Sequence, residues 1–360
     1  MAANLASTNR PEFSPLTLSV AGEVFGGWKS ARVRTSIENL AGGFTVTASE
    51  RWPASNGGTS GRRIRTGDRV TLAIGGAPVV TGAIDAVRVR YADDTHELEF
   101  SGRDATGDLV DCSADHDPGE WRGLKLEQIA QILADPFGVK VRVSGNTGKP
   151  FEYFRLTDGE TVGAALERLC RHRGLLRVAD GIGGLALTRA GTSRAPAAIV
   201  LGQNALEASG EFDDSQRFSQ YRVKGQHPMV DLQAAEQVVS PSAIVRDRGM
   251  GRHRPLTVIA EEPGSEDQYA TRATWEANMR YGKSRRASYT LAGWSAAGVL
   301  WRPNAIVHVR DPFVGIDEDM LIVGVDFSLD EQGSRTQISV ARKEAFDLRP
   351  MPDPKTPVSL

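Results

Sequence analysis

Asp111, Cys112, Asp115, His116 and Asp117 are the residues of this 360-residue chain that come nearest to a metal site, crowded into seven positions. Structural zinc asks for four nitrogen or sulfur ligands at recognisable spacing, and neither Cys-x-x-Cys nor His-x-x-x-His occurs in the sequence. A calcium loop would alternate acids around a central glycine and close on a glutamate, which this segment does not. An acidic turn between domains explains the same residues. Cys170, followed by His172 and Arg173, suggests a thiolate activated by neighbouring positive charge. Yet Cys170 lies beside Leu169 on the apolar side of a helical repeat, so burial is expected, and basic residues at a helix end suit its dipole. There is no Gly-x-Ser-x-Gly elbow, and Gly249-Met-Gly251 is followed by His-Arg, which is no phosphate cradle. His96, His227, His253 and His308 share no motif, and nothing singles out a pair of carboxylates. The reading assigns no catalytic residue, no metal ligand and no cofactor.

Segregated charge is the stronger signal. Asp311, Asp317, Glu318, Asp319, Asp326, Asp330 and Glu331 fall in one stretch free of Lys and Arg. Arg280, Lys283, Arg285 and Arg286 cluster, as do Arg246, Arg248, Arg252 and Arg254 around His253. Each set serves equally as a solvated face. Together, on a chain with 43 basic and 45 acidic residues, they suit head-to-tail association in which positive meets negative. Arg280, Lys283, Arg285, Arg286, Asp317, Glu318 and Asp319 are therefore candidate contacts with a neighbouring subunit or partner. Trp301 joins them as an aromatic anchor, although such residues are more often part of a core. Overall neutrality argues against bulk binding to nucleic acid or acidic membranes, and basic clusters without interleaved aromatics are a weak nucleic-acid signal. The longest uncharged runs, 70–84 and 287–301, are too short to cross a bilayer, and the N-terminus shows no apolar export signal. Two cysteines do not make a disulfide scaffold.

The elements carrying these residues are mostly short strands. Thirty-eight glycines, about 11% against a usual value of about 7%, suit many tight turns. Apolar and polar residues alternate over 16–20, 31–34, 44–47 and 70–74, and again in a hairpin from Val87 to Phe100 that reverses at Asp93-Asp94. Asn56-Gly-Gly58 marks a loop. Leu126, Ile129, Ala130 and Leu133 then trace one face of a helix stopped at Asp135-Pro136. A strand over 139–143 follows. Val162, Ala165, Leu166 and Leu169 trace a second helix, which Gly174 closes in a left-handed turn. Strands over 175–179 and 185–189 flank Asp180-Gly-Ile-Gly-Gly184. Later strands are expected at 199–201, 218–224, 256–259, 287–291, 306–309, 320–325 and 336–340. A helix over 266–281 is expected, with Ala270, Ala273, Ala277 and Tyr281 on one side.

The fold class is therefore α+β, β-dominated and multidomain, with two barrel-like antiparallel β domains and two smaller α/β units. The first β domain covers 1–110 and an α/β domain 111–197. A second, discontinuous β domain takes 198–227 and 285–348, with an inserted α/β subdomain at 228–284. A proline-rich tail fills 349–360.

Leu300-Trp-Arg-Pro-Asn304, Val307-His-Val-Arg-Asp-Pro-Phe-Val-Gly-Ile-Asp317 and Leu321-Ile-Val-Gly-Val-Asp-Phe-Ser-Leu-Asp-Glu-Gln-Gly333 resemble the closing segment of phage Mu-type baseplate hub proteins. Ile64-Arg-Thr-Gly-Asp-Arg-Val70 with Gly82 and Ile84, Ser101-Gly-Arg-Asp-Ala-Thr-Gly-Asp-Leu-Val-Asp111, and Phe212-Asp-Asp-Ser-Gln-Arg-Phe218 with Tyr221 agree. The resemblance runs from about residue 15 to 345, with nothing diagnostic in 228–265 or the tail. It implies a structural, non-enzymatic role in the virion baseplate of a contractile tail, assembled in the host cytoplasm. Three copies would form a homotrimer joining a hexameric tail tube and other baseplate proteins to a trimeric spike, with no specific nucleic acid and no membrane insertion. The competing reading is a peptidoglycan-binding or peptidoglycan-degrading module built on 111–197.

Overall fold

A computed structural model describes residues 15–49, 64–92, 95–191, 193–225, 242–260 and 265–347. The loop at Asn56, the reversal at Asp93-Asp94, residues 226–241 with His227, residues 261–264 and the proline-rich tail lie outside the described residues. The chain divides into two compact units. One comprises Met1–Ala208, Ser288–Val340 and Pro350–Leu360, the other Ser209–Ala287 and Ala341–Arg349.

The first unit begins with seven strands: β1 (Leu16–Val20), β2 (Glu23–Phe25), β3 (Ser30–Ser36), β4 (Gly43–Ser49), β5 (Arg69–Ile74), β6 (Ala77–Ala92) and β7 (Thr95–Asp104). They pair in the order β3-β4-β7-β6-β5-β1-β2, each junction antiparallel. The period of two does what it should: Leu16, Leu18 and Val20 of β1 and Val70, Leu72 and Ile74 of β5 are buried on one face. The register of β6 on β7 shifts between Ile84 and Ala86. Beside that shift a Cβ on Gly82 would lie 2.0 Å from the Arg103 carbonyl oxygen, and one on Gly102 2.1 Å from that of Ala83. Only glycine permits so close an approach of two strands.

The chain then builds α1 (Gly107–Asp111), β8 (Glu120–Trp121), α2 (Leu126–Ala134), β9 (Val141–Val143), β10 (Phe154–Arg155), α3 (Val162–Arg173), β11 (Leu176–Ala179) and β12 (Leu185–Thr188). The apolar stripes expected on α2 and α3 meet in one core with Phe151, Phe154, Leu185 and Leu187. Thr161 accepts the Ala164 N–H at the start of α3, and Gly174 ends the helix at φ 62°. β9 is shorter than the expected 139–143. The backbone of Val139 is bound instead to the end of α2, its N–H to the Ala134 carbonyl and its carbonyl to the Gln131 side chain.

Short strands β13 (Ser193–Arg194) and β14 (Ile199–Val200) lead to β15 (Ala205–Phe212). Nothing in the sequence pattern announced β15, because nearly all its residues are exposed and none alternates. In the second unit β16 (Gln220–Lys224) pairs antiparallel with β17 (Ser242–Arg246) and parallel with β18 (Pro255–Ile259). Helix α4 (Glu266–Lys283) covers this sheet, opened by a capping box between Ser265 and Gln268. The strand expected over 218–224 as part of the second β domain belongs here instead, because Tyr221 and Val223 bury against Tyr269 and Ala273 of α4. The buried side of α4 is Tyr269, Ala273 and Glu276, not the stripe of Ala270, Ala273, Ala277 and Tyr281. The helix is turned so that its larger aromatic fills the core, leaving Ala270 and Ala277 at the margin.

The chain closes with β19 (Arg285–Ala292), β20 (Ser295–Ala296), β21 (Val299–Leu300), β22 (Ala305–Asp311), β23 (Ile316–Asp330) and β24 (Gly333–Ala341). β19, β24 and β23 follow one another in the sheet, and β13 and β14 run parallel to β22. β23 is long enough to pair twice. Its first half takes β22, and residues 324–329 take β3 of the N-terminal strands, Gly324 opposite Ser36 and Leu329 opposite Ala31. The two β regions of the first unit are thereby one continuous sheet. Among the described residues no helix is long and apolar enough to cross a membrane.

Candidate functional site

The acid-rich segment around Cys112 is not drawn together. Arg103 donates to Asp111 at 2.6 Å and to Asp85 at 2.9 Å, and this hydrogen bond holds the Asp111 carboxyl below its usual range. His116 instead packs its ring on Trp121. Cys170 is buried, and desolvation pushes its thiol up to about 12, so it is no thiolate at neutral pH. A cleft of about 460 Å³ lies where the N-terminal strands meet the α/β domain. Asp104 lines it from a buried position: Thr106 donates to one carboxylate oxygen through its N–H and its hydroxyl, both at 3.1 Å. Burial pushes the Asp104 carboxyl up to about 6.

The basic candidates fall in the second unit, where a core of arginines and aromatics engages two of the four. Arg217, almost wholly buried, holds Asp247 through a two-pronged pair at 2.6 and 2.9 Å and lies over the Tyr281 ring. Arg285 reaches Asp214 at 3.1 Å and also lies over Tyr281, as does Arg342. Arg280 and Arg254 flank Phe218, and the buried Glu276 accepts from both Arg272 and Arg280. Arg280 and Arg285 are therefore anchored within their own unit. Arg286 is half-buried and Lys283 exposed.

The acidic candidates sit together on β23 in the first unit, facing β22: Asp317 lies opposite Arg310, Glu318 opposite Val309 and Asp319 opposite His308. Arg194 donates to Asp319 at 2.6 Å and holds its carboxyl below the usual range. His308 lies 3.2 Å from Asp319 and 3.3 Å from Asp317. Trp301 is only 2% exposed, so it is a wall of the first unit rather than a projecting anchor.

Sequence reasoning passed over the most exposed large apolar side chain among the described residues. Phe313, 91% exposed, crowns the turn between β22 and β23. The turn is tightly built: Phe313 and Val314 donate their N–H groups to the buried Asp311 carboxylate, each at 3.0 Å, and Gly315 donates to the Asp311 carbonyl. Val89 and Tyr91 are likewise bare at the outer end of the β6–β7 hairpin. The available signal was an aromatic inside a Pro-Phe-Val-Gly turn, a place where no packing can reach it.

Family models cover most of the described chain. One described as Mu phage baseplate assembly protein GpP-like, N-terminal, matches residues 15–104. Baseplate hub protein gp44-like, second domain, matches 106–189, and Mu phage baseplate assembly protein GpP, fourth domain, matches 265–349. The baseplate hub protein gp44 of Escherichia phage Mu is 35% identical over 341 residues, 92% of this chain and 88% of its own. The crystal structure of a 43 kDa tail protein of prophage MuSo2 from Shewanella oneidensis superposes with a TM-score of 0.80 at 36% identity, over 93% of this chain and all of that one. The E. coli c3393 protein, described as a type VI secretion component similar to T4 tail proteins gp27 and gp5, shares the fold. Its TM-score is 0.57 at 9% identity, over 94% of this chain and 80% of its own. With two regions of β-sheet, an α/β domain between them and a third of its sequence shared end to end with a phage hub, the chain belongs to the Mu-type baseplate hub protein family, structural components of the contractile-tail baseplate.

Proposed function

We propose that three copies of the protein close into a ring that fits a six-fold tail tube to a three-fold spike, without enzymatic activity. The pairing of β23 with β3 carries this reading. It sets two β regions from opposite ends of the chain side by side in one sheet. Three such subunits present six related β surfaces around an axis, the number a hexameric tube requires. The likeness of c3393 to this chain in fold, and its described likeness to gp27 and gp5, support the same architecture. Lys283, Asp317, Glu318 and Asp319 are the charged positions assigned to subunit or partner contacts, with Arg280, Arg285 and Arg286 shaping the surface behind Lys283. The particle is assembled in the host cytoplasm and carried in the virion.

Light scattering on the purified protein at micromolar concentration should return three chain masses. A stable monomer overturns the ring. Retention of the intact protein on purified peptidoglycan sacculi, or release of soluble fragments from them, would instead favour a cell-wall module built on 111–197.

A further inference from the structure

Two features at opposite ends of β22 complement each other. At one end Phe313 stands bare on its hydrogen-bonded turn. At the other, an open cleft of about 180 Å³ has Val79, Val178, Trp301 and Phe327 as its apolar walls, with Thr35 and the Arg142-paired Asp180 also lining it. Its walls come from β6, the tip of the β11–β12 hairpin, the segment before β22, and β23, all within the first unit. About 150 Å³ is enough to take up benzene, so this cleft has the volume for a phenyl ring.

Charge agrees with shape. Arg302, exposed on the cavity rim, makes no ion pair among the described residues. Asp317 stands beside the Phe313 turn, 71% exposed at its side chain, with only the His308 ring as its ion-pair partner among those residues. The seven residues of β22 separate the turn from the cavity by roughly 20 Å or more at about 3.3 Å per residue. A chain therefore cannot fill its own cavity.

The geometry points to a head-to-tail joint between copies of this chain, in which Phe313 of one subunit fills the Trp301-lined cavity of the next and Asp317 meets Arg302. The joint is heterologous, the kind of contact that closes a ring. It rests on the ring reading above and specifies which surfaces make the ring. The buried Trp301 thereby receives a role in assembly as the wall of a receiving site, with Phe313 as the anchor.

Cysteine cross-linking tests the joint directly. In a Cys112→Ser background, Leu300→Cys and Phe313→Cys are combined in the full chain and oxidised. Two cysteines this far apart within a chain cannot bridge. Non-reducing gels should show two-chain and three-chain bands that reductant removes. Phe313→Ser, measured separately, should weaken self-association at least tenfold by light scattering while leaving circular dichroism and melting unchanged. A wild-type trimer that shows no cross-link, with Phe313→Ser still trimeric, overturns the joint and leaves the ring standing. Phe313→Ser that stays trimeric yet loses its hold on the spike protein makes Phe313 an anchor for a partner and likewise overturns the joint. A wild-type monomer overturns joint and ring together.

Discussion

The arginine-rich region of the second unit and the acid-rich hairpin of the first look alike as strings of charge, yet they do opposite work. In the second unit most charges turn inward: Arg217 is clasped by Asp247, Glu276 is bound by two arginines, and Tyr281 is flanked by three guanidinium groups. On the β22–β23 hairpin Asp317 and Asp319 stay at the surface while Asp311 turns in to hold the turn, and the apolar Phe313 is the exposed one. The core of the second unit is small, five buried residues with two tyrosines among them. Planar guanidinium groups stacked on aromatic faces extend it where aliphatic residues are scarce. The first unit has aliphatic strands enough to leave Asp317 and Asp319 at its surface.

The largest effect should come from Arg217. Its side chain is 6% exposed and that of Asp247 14%, so Arg217→Ala leaves a nearly buried carboxylate without its partner. Removing one member of a buried pair costs about 3–5 kcal/mol, which urea denaturation would read as an early transition. Replacing both residues by apolar ones of similar volume should recover most of the loss, because the pair's attraction is set against its desolvation. The sign with pH follows from the carboxyl. Arg217 holds Asp247 below its usual value, so the pair's stabilisation is complete above the unfolded-state pKa of about 4 and fades as pH falls through the lower folded value. The second unit should therefore loosen in acid, and Arg217→Ala should flatten that dependence. An Arg217→Ala protein as stable as wild type would place these charges in the same class as those of the hairpin.

That difference explains what could be read from sequence. The helices α2 and α3 were legible because an aliphatic stripe at i, i+3, i+4 and i+7 has one interpretation, and Gly174 marked the end of α3. The strands of the first hundred residues were legible through strict alternation. α4 was legible as a helix but not in its rotation, because its buried side includes Glu276, whose burial depends on arginines at 272 and 280 closing over it. β15 was illegible because its residues are exposed and lack any apolar period. Among candidate surface residues, composition marked Arg280 and Arg285 but could not show that Glu276 and Asp214 already engage them. Phe313 escaped notice because a single aromatic in a turn carries no periodicity.

A middle-sized effect is expected at the seam of the two β regions. Asp326 accepts from Arg32 at 2.6 Å and from Arg34 at 2.8 Å across the β23–β3 pairing. Both arginines are more than half exposed, which screens the pair, but the carboxylate is mostly covered. Asp326→Asn should cost about 1–2 kcal/mol, near the lower range for charge-assisted hydrogen bonds, and should hasten hydrogen exchange along 324–329. Unchanged exchange there would show that backbone pairing alone holds the seam.

The smallest effect belongs to Asp319. It contacts Arg194 and His308, so the count of its partners rivals that of Glu276, but it is solvent-exposed and all three side chains remain wetted. Exposed pairs gain little because water and salt screen them and two side chains must be held still. Asp319→Asn should leave the melting temperature of the protein unmoved at ordinary ionic strength. The same variant is informative in assembly, where a neighbouring subunit would exclude water from the hairpin and strengthen whatever charge interactions remain. Asp319→Asn that is neutral for folding but makes self-association less sensitive to salt would place this surface at a joint. Asp319→Asn that lowers the melting temperature as Arg217→Ala does would erase the distinction between inward and outward charge from which these expectations come.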